Sequence, residues 1–186
     1  MERAEHLITD MANFSMMYAE DTSALRNVMY MTDRMGETDE KNMLMRMIYS
    51  SAVSILETYL DEVLNCLVFS DRLVFQRLAA SPKFIKFNSD EKRVRERLSR
   101  QIFHRLDDVE AFYKAATGVD IFPNEDLKER LKERIKVRHG LVHKNGRSSA
   151  YCSLDSTQAL LNDIDDLIGY MHERVKAGVA QLHKGG

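Results

Sequence analysis

Three side chains that could move a proton and bind an anion stand close together in the stretch "RHGLVH". They are Arg138, His139 and His143. A histidine side chain ordinarily titrates near pH 6.5 and can donate or accept a proton at neutral pH. An arginine stays charged and presents N–H donors in a fork that suits a phosphate. This combination is typical of a site where a proton moves while negative charge develops.

The position of Arg138 on its helix is unusual. At about 100° per residue it lies inside an arc of about 80° formed by apolar residues, namely Leu127, Leu131, Ile135 and Val142. A buried guanidinium without a partner costs several kcal/mol. Arg138 therefore extends to water, pairs with an internal carboxylate such as Glu57 or Asp61, or faces a cleft or subunit seam where it could bind a phosphate.

The two histidines have the spacing of a helical metal-binding pair. However, Gly140 occupies the position where a zinc peptidase has its catalytic glutamate, and no third ligand is apparent. We therefore expect no metal and no other cofactor. His143 stands near a helix C-terminus, where the dipole favours the protonated form, although an ordinary surface histidine would look the same in sequence.

Length and composition indicate one domain with a possible appendage. The chain has 186 residues, and no stretch approaches the roughly 20 apolar residues that cross a membrane. Cys66 and Cys152 are far apart and follow no metal-ligand spacing, and Cys66 lies in the apolar run "DEVLNCLVF", so we expect a buried free thiol at Cys66 and a reducing compartment. The N-terminus lacks a signal-peptide pattern. These features favour a cytoplasmic protein without a membrane association.

The net charge of −2 hides an uneven distribution. Residues 1–71 contain thirteen acids and five bases, whereas residues 72–105 contain ten bases and three acids, and residues 128–147 eight bases and two acids. Such basic segments are either solvated helix faces or a surface that faces a polyanion.

Apolar residues recur at helical spacing almost throughout, and only two prolines occur, which predicts an all-α bundle of about five to six helices. A first helix ends before Gly36, and a second runs from about residue 39 to 69 with Met43 and Met47 facing inward. Ser81-Pro82 ends a short third helix. Asn88 and Glu91 form a capping box for a fourth, with one inward face: Val94, Leu98, Ile102, Leu106, Val109 and Tyr113.

Two further helices complete the prediction. Asn124 begins the motif helix, Asn145-Gly146 ends it, and a last helix begins near Ser156 and frays at the final "HKGG". We divide the chain into an N-terminal helical extension, residues 1–38, and a helical domain, residues 39–183.

In this all-helical context "RHGLVH" resembles the R-x4-6-H motif of the HEPN superfamily of small helical domains. It is most similar to the stand-alone or RiboL-PSP-like families of toxin and defence systems. A polar residue commonly follows the arginine there, as His139 does here, and "KNGR" resembles the basic residue and Asn-Gly that follow the histidine in some families. "SILETYLDEVL" resembles the helix that packs on the motif helix, and "IFPNEDLKERL" the start of the latter. The resemblance covers roughly residues 44–175.

The resemblance implies a HEPN-like fold with an extra N-terminal helix and a metal-independent endoribonuclease, a toxin or antiviral-defence effector. His143 would transfer protons, Arg138 would stabilise the phosphorane, and His139 would orient substrate or share the proton transfer. The RNA backbone would contact seven further residues, namely Lys136, Lys144, Asn145, Arg147, Arg93, Arg97 and Arg100.

The resemblance also implies partners. A homodimer would bring two motif helices to one seam and supply the second histidine, and an antitoxin or defence-system protein is a possible partner. Toxins that pair with nucleotidyltransferase antitoxins have a tyrosine where this chain has Asn145, so regulation through that tyrosine is not expected. Two alternatives stay open: a non-catalytic HEPN-like module that binds RNA or protein, and a structural helical adaptor.

Overall fold

Helices account for nearly all of the chain that the computed structural model describes, which is residues 2–143 and 152–184 for the backbone and residues 9, 11–142 and 152–184 for the side chains. Within these residues there are no strands, one 3-10 helix at Ile85–Phe87, and seven α-helices. The α-helices are α1 (Glu2–Asp33), α2 (Asp39–Ser70), α3 (Arg72–Ala80), α4 (Glu91–Ser99), α5 (Leu106–Thr117), α6 (Glu125–His143) and α7 (Leu154–Lys184). The all-α class is confirmed, while the HEPN-like assignment stays a prediction.

Capping groups explain where most helices begin and end. The Thr38 hydroxyl accepts a hydrogen bond from the Lys41 N–H at the start of α2. Asn124 Oδ1 accepts one from the Leu127 N–H, 2.8 Å away, at the predicted start of α6. α5 ends at Gly118, whose φ of 83° is left-handed. These boundaries follow from residue types that the sequence displays.

α2 is the central helix of the bundle. It packs against α1, α3, α5, α6 and α7, and the Tyr113 hydroxyl of α5 donates a 2.7 Å hydrogen bond to its Leu60 carbonyl. α1 contributes Met11, Tyr18 and Met29 to the same hydrophobic core. The proposed division at residue 38 stays a prediction, but the first helix packs on the bundle and shares its core.

One face of α2 is exposed where the sequence predicts a buried one. Met43 and Met47, expected to point inward, are each 57% exposed. They line a surface depression of about 630 Å³ together with Leu141 and Val142 near the end of α6. α2 carries apolar residues on several sides, so its periodicity alone does not show which side stays uncovered.

The expected fourth helix is two helices. Asn88 does not begin it, because its φ of 51° is left-handed and the side chain of Asp90 instead accepts a hydrogen bond from the Arg93 N–H. Residues 100–105 then interrupt the helix, and Phe103 in this segment is buried. We call residues 100–105 the α4–α5 loop.

The last helix begins two residues earlier than expected and is still helical at His183 and Lys184, where fraying was predicted. The α7 residues expected to face inward are all buried: Leu160, Ile164, Leu167, Ile168 and Met171. No helix among the described residues is both long enough and apolar enough to cross a membrane.

Candidate active site

Ion pairs fix α6 against its neighbours. Asp163 of α7, whose side chain is only 9% exposed, accepts hydrogen bonds from Arg130 at 3.0 Å and from Arg134 at 2.6 Å. On the other side Lys128 contacts Glu110 of α5 at 2.9 Å. The cations in the first part of α6 are thus paired with carboxylates of the bundle, and their first role is to hold this helix in place.

The pKa values agree with that structural role. Burial lowers the pKa of Lys128, but hydrogen bonds to Asp107 and Glu110 outweigh burial and leave the pKa raised. Hydrogen bonds from Lys132 and Lys128 lower the pKa of Asp107. Lys128 and Asp107 therefore both favour their charged forms in the folded protein.

Arg138, one turn beyond Arg134, is held much more loosely. Its side chain is 22% exposed, and its Nη2 lies 3.9 Å from Oε2 of Glu57 on α2. Its Nε is buried and has no hydrogen-bond partner among the described residues. Arg138 therefore pairs with an internal carboxylate, which is one of the three explanations for an arginine in the apolar stripe. Its partner is Glu57, at the limit of ion-pair distance.

The other candidate carboxylate, Asp61, is occupied elsewhere. The side-chain amide of Asn65 donates a hydrogen bond to Asp61 within α2. Burial raises the pKa of Asp61, and this hydrogen bond opposes the rise.

Glu57 also meets a histidine from the α4–α5 loop. Nδ1 of His104 lies 3.3 Å from Oε1 of Glu57, and the two side chains are 31% and 21% exposed. The His104 ring is also next to that of His139, with the ring centroids 5.8 Å apart. One carboxylate therefore lies between a guanidinium and an imidazole, and a second imidazole stands beside the first. We call Glu57, His104, Arg138 and His139 the motif cluster.

An open cleft of about 540 Å³ borders this cluster. α6, the α4–α5 loop and the first turn of α5 form its walls, and its lining includes Lys136, His139, His104, Arg105, Asp107 and Asp108. Arg138 does not line the cleft itself but is connected to it through Glu57 and His104. The arrangement offers proton-transfer groups that line the cleft and a guanidinium that contacts the same carboxylate as His104.

Comparisons with protein-family models, curated proteins and solved structures return no match to the chain. The resemblance to HEPN domains is therefore carried by the motif and its helical context alone, and the chemistry of the site must be argued from its geometry.

The structure brings together three of the predicted site residues. Arg138, His139 and Lys136 share the last turns of α6, next to the cleft. His143 is the last residue of α6, and its side chain lies outside the described residues. Three predicted RNA contacts fall entirely outside them, namely Lys144, Asn145 and Arg147.

The predicted RNA contacts on α4 lie away from the cleft. Arg97 stands 5.6 Å from the Phe112 ring, and its neighbour Arg95 stacks 3.7 Å over Phe69. Phe69 follows Glu57 by twelve residues on α2, which corresponds to about 18 Å along the helix axis. Arg93 is exposed on α4, and Arg100 is exposed at the first position of the α4–α5 loop. None of these three arginines lines the cleft, and we call Arg93, Arg97 and Arg100 the α4 patch.

Sequence reasoning missed His104. The only signal for it was the acidic pair Asp107-Asp108, which is typical of the first turn of a helix and marks a new helix start just after residue 105. Within the described residues, no group of three or more His, Cys, Asp or Glu side chains is placed to hold a metal ion.

Proposed function

We propose that the protein is a metal-independent endoribonuclease of the HEPN type. The observation that carries the proposal is the loose pairing of Arg138. This cation has a buried donor without a partner among the described residues and a 3.9 Å contact to Glu57, beside two imidazoles at an open cleft. A purely structural cation would resemble Arg134, which is bound closely to a buried carboxylate.

RNA cleavage suits these groups because RNA contains its own nucleophile. A base removes the proton of the 2′-hydroxyl, O2′ attacks the neighbouring phosphorus, and the bond from phosphorus to O5′ breaks as an acid protonates O5′. His143 transfers protons, and Arg138 stabilises the charge of the phosphorane. The products carry a 2′,3′-cyclic phosphate and a 5′-hydroxyl. His139, at the cleft, orients the substrate, and His139→Ala is expected to leave partial activity.

The same proposal includes a homodimer. The depression lined by Met43, Met47, Leu141 and Val142 continues from the C-terminal end of the motif helix and exposes apolar surface there. Burying this surface against a second copy would place two motif helices at one seam. Light scattering at tens of micromolar protein should show a dimer, and a monomer at that concentration would contradict this part of the proposal.

We place the enzyme among toxin or antiviral-defence effectors, with an antitoxin or defence-system protein as a possible partner. Lys136 at the cleft would guide the RNA backbone into the site, and the α4 patch would add salt-dependent affinity without sequence preference. Expression of the wild-type protein should slow host growth, and His143→Ala should relieve the effect.

The test of the activity is cleavage of a short labelled RNA. We expect cleavage in EDTA, a 2′,3′-cyclic phosphate end, and no cleavage when a single 2′-deoxynucleotide precedes the scissile bond. His143→Ala should abolish cleavage, whereas Arg174→Ala, an exposed arginine on α7, should not. If the folded wild-type dimer cleaves no RNA, the proposed ribonuclease activity is refuted.

A non-catalytic module that binds RNA or protein is the second candidate. Two observations favour it: the cations of the first part of α6 are paired internally, and the α4 patch is apart from the cleft. It predicts RNA binding that survives His143→Ala in a protein that cleaves nothing.

A further inference from the structure

His104 lies where a second proton-transfer group is needed. The α4–α5 loop that carries it is anchored by the buried Phe103, and the loop itself is closed by a hydrogen bond from the Arg105 N–H to the Ile102 carbonyl at 3.0 Å. This short tethered segment brings the imidazole to the lining of the cleft, next to His139. A surface histidine on a solvated loop would have neither contact.

Glu57 is the carboxylate next to His104. Nδ1 of His104 lies 3.3 Å from Oε1 of Glu57 in ion-pair contact, while Oε1 is buried and accepts no hydrogen bond from the described residues. An N–H at Nδ1 can supply the donor that this oxygen lacks, and the neutral ring then carries its lone pair on Nε2. An imidazole held in this way is suited to act as a base, as in other carboxylate–histidine pairs. Glu57 is then a positioning residue for His104 as well as the partner of Arg138.

We propose that His104 is a catalytic residue, the general base, and that it acts with His143 of the same chain. This inference rests on the proposed ribonuclease activity and deepens it. Nε2 of His104 takes the proton of the 2′-hydroxyl, and O2′ forms its bond to phosphorus. The bond from phosphorus to O5′ breaks, and O5′ receives its proton from His143. Exchange with water afterwards returns both histidines to their starting protonation states.

The inference changes the reason for a dimer. The sequence contained one clear motif histidine per chain, and a second histidine was therefore expected from the partner subunit. With His104 the chain supplies both groups. His143 follows His139 by four residues in the sequence, and His139 lines the same cleft as His104.

The first experiment compares His104→Ala and His104→Gln with wild type in steady-state cleavage with RNA in excess. Each variant should lose at least about 100-fold in kcat, the usual contribution of a general base, with KM changed less than about 3-fold. The matched control is His172→Ala, which removes an imidazole that contacts Ser15 at 3.1 Å, where α7 meets α1. The control should cleave at the wild-type rate. Full activity in a folded His104 variant, beside an inactive His143→Ala, would overturn the inference and leave the ribonuclease proposal intact.

A substrate with sulfur in place of the leaving 5′-oxygen separates base from acid, because a thiolate leaves without protonation. This substrate should restore cleavage by His143→Ala and should not restore cleavage by His104→Ala. The opposite result would overturn the assignment of His104 as the base. If the wild type cleaves neither substrate, the ribonuclease proposal itself fails, and the inference fails with it.

Two further measurements test Glu57 and the use of one chain. Glu57→Ala should lower kcat at unchanged KM, and Glu57→Gln, which still offers an oxygen to Nδ1–H, should recover part of the loss. A purely structural role would give no such recovery. Mixed dimers of His104→Ala with His143→Ala should be inactive, because each chain lacks one group. Recovered activity in the mixture would show that the two histidines come from different chains and would overturn the inference.

Discussion

Arg138→Ala should abolish RNA cleavage with little effect on stability. The geometry allows the size of both effects, on the free energy of unfolding and on kcat, to be estimated. Two unit charges about 4 Å apart attract by about 4 kcal/mol at an effective dielectric constant of about 20, before desolvation is subtracted. Both Arg138 and Glu57 are about one-fifth exposed, at 22% and 21%. Desolvation therefore offsets most of that attraction, and we expect a net contribution of about 1 kcal/mol from the pair.

A second contribution of Arg138 lowers the free energy of unfolding. The buried Nε of Arg138 has no hydrogen-bond partner among the described residues, and such a donor costs about 1–3 kcal/mol. Removing the side chain removes this cost and leaves His104 as the charge contact of Glu57 among the described residues. The terms nearly cancel, so the free energy of unfolding should change by about 1 kcal/mol or less in either direction. For a chain of this length that corresponds to a shift in Tm of less than about 4 °C.

The expected effect on catalysis is far larger. Loss of one donor to a developing oxyanion typically costs about 10²–10³-fold in kcat. The assay is single-turnover cleavage of a short RNA, together with a thermal melt of the same sample. Arg138→Lys keeps the charge but loses the forked donor geometry and should fall between alanine and wild type.

Two results would refute this reasoning. Cleavage by Arg138→Ala within tenfold of the wild-type rate would show that the guanidinium does not stabilise the transition state. A fall in Tm of more than about 10 °C would make Arg138 a structural residue. The exposed Arg174→Ala serves as the control for both measurements.

Three further predictions concern the surroundings of the site. Asp163→Ala should destabilise the fold by about 2–4 kcal/mol in urea unfolding, because it leaves the largely buried Arg134 without its partner; no change would mean that α6 is held by its apolar face alone. Asp107→Asn should unfold more easily than wild type above pH 4 to 5, because the pKa of Asp107 is lowered in the folded state. That difference should vanish as the pH falls through the lowered value, and a difference that persists at pH 2 would contradict the ion-pair explanation. Reversing the charges of Arg93, Arg97 and Arg100 in the α4 patch should weaken binding to unrelated RNAs by similar factors. The slope of log affinity against log salt concentration should fall by about one unit per lost phosphate contact. Unchanged affinity would mean that these arginines form an ordinary solvated face.

Most of the fold could be predicted because its signals are local. The starts of α2 and α6 and the ends of α3 and α5 coincide with caps, a proline or a glycine that the sequence displays. The exposed Met43 and Met47 could not be predicted in this way. Periodicity reveals that a face is apolar, but the covering of that face depends on which helices pack there.

The charges of α6 show a similar limit. Its basic residues look alike in sequence, yet Arg130 and Arg134 meet a buried Asp163 from a helix some thirty residues later, and Arg138 meets Glu57 from α2. The sequence could name Glu57 only together with Asp61, since both are carboxylates within the apolar helix α2. Sequence could not distinguish the closely paired cations from the loosely paired one, since that difference depends on tertiary distances.

The interruption between α4 and α5 explains two failures of the sequence prediction: one helix was expected here instead of two, and His104 was not recognised as a site residue. The apolar positions from Val94 to Tyr113 keep the helical period across the break, so the pattern predicts one helix. In such a helix His104 would point about 145° away from the centre of the apolar face, toward solvent. The α4–α5 loop removes this constraint: it buries Phe103 and turns His104 toward Glu57. The acidic residues Asp107 and Asp108 favour a new helix start at this point, where they lie in the first turn of α5. Acids that favour a helix N-terminus thus compete with a continuous apolar stripe, and the new helix start prevails where the loop brings an imidazole to the cleft.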